Sequence, residues 1–169
     1  YVMFSSGTTG KPKSIVHSVG GTLIQHIKEL GLHTDLKSDE KIMYYTTCGW
    51  MMWNWVLSSL YFNSTLVLYE GSPFYPNKDS LLKIVDKNGI NIFGTSAKYI
   101  AYIQSEKLFL INEYKFKNLK TILSTGSALT SDNFEYIVKN IKRNVQVSSI
   151  SGGTDIISCF ALGNPILNV

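Results

Sequence analysis

"YVMFSSGTTGKPKSIVHS", Tyr1 to Ser18, decides what kind of fold this chain builds. Two apolar, β-branched runs, YVMFS and SIVHS, flank a loop dense in glycine, hydroxyl and lysine side chains. Glycines let backbone N–H groups approach an anion, because no Cβ stands in the way. Ser5, Ser6, Thr8 and Thr9 add hydroxyl donors, and Lys11 and Lys13 add positive charge, so the loop suits a polyphosphate. The natural comparison is the Walker loop, G-x-x-x-x-G-K-[ST], in which a helix follows the lysine. Here the spacing from Gly7 to Gly10 is too short for that loop. Pro12 and the β-branched run after Ser14 also argue against a helix starting at Lys11. The loop is therefore expected to join two strands and close over a nucleotide. A plain surface turn is the bland alternative, and the density of donors and cations weighs against it.

Outward from this hairpin, strand-like and helix-like segments alternate about five times. The segment from Gly20 to about His33 places Leu23, Ile24, Ile27 and Leu30 on one helical stripe. KIMYYTT reads as a strand, MWNWVLSSLYF as a buried helix and STLVLYE as a strand that stops at the GSPFYP turn. Asp79 to Lys87 reads as a helix with Leu81, Leu82, Ile84 and Val85 inward. The strand GINIFGTS, a helix through Tyr99 and Ile103, and the strand LKTILSTG follow. TSDNFEYIVKNI has Thr130 or Ser131 as N-cap and a stripe of Phe134, Ile137, Val138 and Ile141. VQVSSI is the last strand and runs into SGGTD. This order predicts an α/β fold with a largely parallel sheet covered by helices. Ligands of such sheets collect beyond the carboxyl ends of the strands. Ser5 to Lys13, Thr46 to Trp50, Ser124 to Leu129 and Ser148 to Asp155 are expected there, converging on one site.

Composition bounds the function classes. The chain has 169 residues, 44% hydrophobic and 17% charged, which is enough for one domain with a core. The formal charge of +4 mildly favours an anionic ligand, but its densest cluster, YKFKNLK, reads as a solvated loop. No nucleic-acid partner is expected. No apolar run approaches the roughly 20 residues of a membrane-spanning helix, so no membrane partner is expected either. Cys48 and Cys159 stand far apart, and neither they nor His17, His26 and His33 have metal-ligand spacing. The cysteines are read as free thiols of a reducing compartment. His26 and His33 are read as ordinary residues of one helix. Both ends look cut, so the chain is expected to be an internal piece of a longer protein.

The loop SSGTTGKPK resembles the phosphate loop of the adenylate-forming superfamily, which includes acyl-CoA synthetases, luciferases and peptide-synthetase adenylation domains. One departure is Ser14, where many members have glycine. YYTTCGWMMWNW resembles the segment that borders nucleotide and acyl group, and STGSALTSDNFEYI the one that packs on adenine. SSISGGTDIISCF stands in place of the aromatic-rich Thr-Glu motif. Together with VHSVGGTLIQHIKE and LVLYEGSPFYP, these stretches resemble the acetoacetate-activating branch. The resemblance implies that residues 1–169 are part of an adenylation domain whose small C-terminal domain is absent from this chain. It implies ATP, Mg²⁺ and coenzyme A as cofactors, acetoacetate as substrate and a cytosolic location, and it leaves the oligomeric state open.

The resemblance also assigns roles. Ser5, Ser6, Gly7, Thr8, Thr9, Gly10, Lys11 and Lys13 would bind the phosphates, with Lys11 offsetting charge on the departing pyrophosphate. Gly126, Ser127 and Ala128 would meet adenine. Thr154 would donate to a phosphate, and Asp155, where most relatives have glutamate, would hold Mg²⁺. Trp50 would border the ligand site, with Trp53 and Trp55 in the core. At Gly152, acetate-activating relatives carry a tryptophan that walls off a small pocket. Gly152 and Gly153 would therefore leave room for a longer acid, or would serve a backbone turn needing φ > 0. His17 either faces the site or is an ordinary core or surface residue. Another short-chain acid as substrate, or a non-catalytic nucleotide-binding protein, remains open.

Overall fold

In the computed structural model, which describes residues 1–5 and 10–167, the opening stretch forms the hairpin its sequence predicts. Strand β1 (Val2–Ser5) pairs antiparallel with β2 (Lys13–Val16), closing on Ser5 opposite Lys13. No helix begins at Lys11, so the chain does not have the strand–loop–helix of a Walker site.

Helix α1 (Val19–Lys28) follows and runs on through one wider π turn, Glu29–His33. The main sheet is built from β3 (Lys41–Tyr44), β4 (Thr65–Val67), β5 (Ile92–Ser96), β6 (Thr121–Thr125) and β7 (Gln146–Ser149). Its order is β4-β3-β5-β6-β7, and every neighbouring pair is parallel. The connections carry α2 (Met51–Leu57), α3 (Ser80–Asn88), α4 (Ala97–Ser105) and α5 (Ser131–Tyr136). A second hairpin, β8 (Ser151–Gly153) and β9 (Ser158–Ala161), leaves the end of β7.

Successive strand residues alternate between two cores, as the period of a strand requires. Ile42, Tyr44, Ile92 and Leu123 pack with Leu30, Met51, Met52, Trp55 and Val56 on the α1–α2 side. Met43, Phe93 and Ile122 pack with Leu81, Leu82, Val85, Ile100, Ile103 and Ile137 on the α3–α5 side. A sheet covered on both faces leaves β5 and β6 buried along nearly their whole length. Local signals set the helix ends. Ser18 and Ser96 cap α1 and α4 by accepting from Gly21 N and Tyr99 N. Thr130 forms a capping box with Asn133, and Gly89 ends α3 in the left-handed conformation at φ 64°.

Three sequence expectations need correction. The buried face of α1 is polar: Thr22 and His26 are buried, joined by Glu29 in the following turn, whereas Ile24 is 71% exposed and Leu23 37%. Val138 is exposed, and the buried face of α5 and its continuation is Asn133, Tyr136, Ile137 and Ile141. Trp53 is only half-buried, while Trp55 is a core residue.

Candidate functional site

A cavity of about 400 Å³ opens beyond the carboxyl ends of β6 and β7. Three segments of the chain meet there: Trp50, Thr125 to Ala128, and Ser149 to Thr154, with Met51, Met52 and Ser158 completing the wall. The cavity thus brings together Trp50, Gly126, Ser127, Ala128, Gly152, Gly153 and Thr154 from the expected site. It does not include Ser5, Gly10, Lys11, Lys13 or Asp155 in its wall. Ser5 is half-buried at the closing pair of the first hairpin, and Gly10, Lys11 and Lys13 are exposed. Ser6, Gly7, Thr8 and Thr9 lie outside the described residues.

Each wall is held by a specific local feature. Gly126 follows β6 with φ +90°, a conformation in which a side chain would be strained. Trp50 closes over it, with Cη2 and Cζ2 3.9 Å from where a Cβ would stand. Trp50 itself rests edge-on against Tyr44, at a centroid distance of 6.1 Å, and Tyr44 meets Trp55 in the same way at 6.2 Å. Such edge-to-face pairs are favourable beyond their buried area. The Tyr44 ring fits because residue 94 is glycine: a Cβ there would lie 2.0 Å from Tyr44 Cδ2. The Tyr44 hydroxyl donates to Thr95 O at 3.3 Å, and burial pushes its pKa well above the usual tyrosine range.

The Gly-Gly-Thr-Asp stretch is positioned from several sides. Ile150 N donates to Ser124 O at 2.7 Å, and Thr125 Oγ1 donates to Ile150 O at 2.9 Å, binding the start of β8 to β6. Gly152 lies opposite Cys159, next to an irregularity in the register. A Cβ at Gly152 would stand 2.2 Å from Ser158 O and 2.6 Å from Cys159 Cα, whereas one at Gly153 would meet nothing within 4 Å. Neither glycine has a positive φ, so the turn reading of this pair is not what the backbone uses. Glycine at 152 is required by the close approach of the partner strand.

His17 contacts the same hairpin, its Nε2 lying 2.8 Å from Thr154 O. A carbonyl only accepts, so that nitrogen carries the proton. The end of the opening hairpin is therefore tied to the Thr-Asp turn. Asn54 Nδ2 adds a contact to Met3 Sδ at 3.1 Å. Asp155 is exposed in that turn, and among the described residues no cluster of three or more His, Cys, Asp or Glu side chains stands near it or elsewhere. A lone exposed carboxylate suits Mg²⁺, which keeps several waters and takes one or two carboxylates beside substrate phosphates.

Two further residues stand behind the site, and sequence reading missed both. His26 is fully buried, with Nε2–H donating to Ile157 O at 3.0 Å and Nδ1 2.9 Å from Ser58 Oγ. Burial holds its pKa below the usual histidine value, partly offset by the Ile157 carbonyl and by Glu29. Glu29 is 1% exposed. Burial alone would raise its carboxyl pKa, but hydrogen bonds from Ser158, Cys159, Trp55 and Gln25 outweigh it and hold the group below its ordinary range. The signal available in sequence was a polar stripe: Thr22, His26, Glu29 and His33 recur at helical spacing.

The chain matches the AMP-binding enzyme family over residues 1–165. It is 52% identical over 160 residues to acetoacetyl-CoA synthetase of Gallus gallus, covering 95% of this chain and 24% of that protein. It is 49% identical over 166 residues to acetoacetyl-coenzyme A synthetase of Rhizobium meliloti (strain 1021), covering 98% and 26%. Among solved structures, acetoacetyl-CoA synthetase from Streptomyces lividans superposes with a TM-score of 0.93 at 40% identity, covering 99% of this chain and 26% of that one. The chain thus spans about a quarter of the length of the relatives it matches.

Proposed function

Because this chain belongs to the AMP-binding enzyme family, we propose that it is part of the adenylation domain of a longer ATP-dependent acid–thiol ligase whose acid is acetoacetate. One observation carries the reading: two glycine- and hydroxyl-bearing strand-end segments and Trp50 enclose a single cavity, and the Thr154 on its wall is tied through His17 to the opening hairpin. The names of the relatives support the substrate, as does Gly153, where a bulky side chain would narrow the cavity.

In this reading the acid's carboxylate oxygen attacks the α-phosphorus of ATP. An O–Pα bond forms, the bond from Pα to the α,β-bridging oxygen breaks, and pyrophosphate leaves with that electron pair. No protein nucleophile takes part; the chain positions the reactants and offsets charge. Gly126, Ser127 and Ala128 bind the base, and Thr154 donates to a phosphate. Lys11 and Lys13, with Ser5, Ser6, Gly7, Thr8, Thr9 and Gly10, neutralise and hold the phosphates. Trp50 and Gly153 bound the acyl end. Asp155 would hold Mg²⁺, which supplies further charge neutralisation on the phosphates. The thiol of coenzyme A then attacks the acyl carbon and AMP departs. The same reading places the protein in the cytosol.

The test is carboxylate-dependent ATP–pyrophosphate exchange by the whole protein. Exchange that prefers acetoacetate over acetate and propionate supports the proposal. Exchange with acetate alone removes the substrate assignment and leaves the chemistry. No exchange with any acid favours a nucleotide-binding protein without catalysis.

A further inference from the structure

We propose that Glu29 is a positioning residue for the adenylation step: its buried carboxylate holds the β8–β9 hairpin in the orientation that presents Thr154 and Asp155. The inference rests on the ligase reading above. Glu29 lines no part of the candidate cavity, yet its acceptors are filled from three elements. Oε1 accepts from Gln25 Nε2 of α1 at 2.9 Å, and from Ser158 Oγ at 2.5 Å, Cys159 N at 3.2 Å and Cys159 Sγ at 3.2 Å, all on β9. Oε2 accepts from Trp55 Nε1 of α2 at 2.7 Å. Lys28 Nζ, 4.0 Å away and partly exposed, is the nearest cation.

This surrounding selects an ionised carboxylate over any neutral polar group. Donors face both oxygens, so an amide or a protonated acid would set one N–H or O–H against another. A buried charge persists only where such donors compensate its lost hydration.

The hairpin needs outside support. Its outgoing strand contains Gly152 and Gly153, and its turn contains Ile157 at φ +47°. A β-branched residue is a true outlier there, and its surroundings must hold it. The Ile157 side chain is buried among the α1–α2 core, and its carbonyl accepts from His26. Ile157 N donates to Thr154 O, the atom that also takes His17. Residues 157, 158 and 159 are thus each held from the α1 side. Ser158, which lines the cavity, is fixed by Glu29 directly.

The experiment compares Glu29→Gln, Trp55→Phe and the double variant in the whole protein. It measures exchange kinetics and hydrogen–deuterium exchange of a peptide covering 151–161. For Glu29→Gln, kcat/KM for ATP is expected to fall at least tenfold, and amide exchange in the peptide to quicken at least tenfold. Adding Trp55→Phe removes the donor that faces the new amide N–H₂, and is expected to restore activity at least threefold over the single variant. A group that only stabilises the fold would give additive losses and no recovery. If Glu29→Gln does not fold, Trp55→Phe alone decides, with faster amide exchange and a threefold or greater loss in kcat/KM expected. Wild-type kinetics in the deciding variant overturn the inference, and so does lost activity with unchanged amide exchange. A wild-type protein inactive with every acid defeats the ligase reading instead, and peptide exchange then judges the holding role alone.

Discussion

Alanine at Gly152 and alanine at Gly153 are expected to have unlike effects, although the two substitutions add the same methyl to adjacent residues. At 152 the new Cβ would stand 2.2 Å from Ser158 O and 2.6 Å from Cys159 Cα. Ordinary contacts of this kind lie at about 3.5–4.0 Å, so the two strands must part by roughly 1 Å or more. The opposing atoms are backbone and cannot swing away. Overpacking of this sort costs about 1–3 kcal/mol. At 1.4 kcal/mol per decade, that is a roughly 5- to 150-fold loss in the population of correctly paired hairpin. At 153 a Cβ meets nothing within 4 Å and the backbone has no positive φ, so the cost is expected within about 0.5 kcal/mol. The assay is acetoacetate-dependent exchange by the whole protein, with hydrogen–deuterium exchange over 151–161. Gly152→Ala is expected to lose activity and loosen the hairpin, and Gly153→Ala to do neither. Equal behaviour of the two variants would refute the argument from close strand approach.

Gly153→Trp is expected to reduce exchange with acetoacetate more than with acetate, since the open space at 153 borders the cavity; equal losses would separate residue 153 from acid selection. Gly94→Ala would place a Cβ 2.0 Å from the Tyr44 ring and drive it against Trp50, so a loss of about 1–3 kcal/mol in urea unfolding and weaker ATP binding are expected together. Thr130→Ala removes the side-chain half of a capping box, leaving the backbone N–H bond to Asn133 Oδ1, and is expected to cost about 1 kcal/mol without changing the KM for ATP. Acidification from pH 7.5 to 5 should lower the unfolding midpoint. His26 has a folded pKa below its unfolded value of about 6.5, so the unfolded chain takes up the proton first and stability falls below that pH. Glu29 is also depressed, so its contribution is present above about 4.3 and is lost as pH falls through its folded value. A midpoint that rises between pH 7.5 and 5 would contradict the His26 assignment.

The parallel sheet was readable because strands such as Ile92–Ser96 and Thr121–Thr125 are short segments of apolar and β-branched residues set between capped helices. The opening hairpin was readable because the β-branched run Ile15-Val16 after the loop favours a strand over a helix. Much of the site followed from those strand ends: Trp50, Gly126, Ser127, Ala128, Gly152, Gly153 and Thr154 share one cavity. The face of α1 was misread because the usual amphipathic rule is reversed there. Buried His26 and Glu29 bond the β8–β9 hairpin and α2, with Thr22 buried beside them and Ile24 left outside. The bonds to the hairpin join residues more than a hundred positions apart, so the sequence shows a polar stripe on α1 but not the partners that bury it. The reason for glycine at 152 was hidden for a related cause. It lies in the backbone of Ser158 and Cys159 across the hairpin, not in the φ of residue 152.

The most direct measurement is a crystal structure of the whole protein with a non-hydrolysable acyl sulfamate of adenosine carrying the acetoacetyl group. The base is expected against Ser127 and Ala128, the sulfamate within reach of the Thr154 hydroxyl, and the acyl chain between Trp50 and Gly153. A ligand bound elsewhere on the chain, or an empty Trp50–Gly126–Thr154 cavity at saturating analogue, would contradict the assignment of the site.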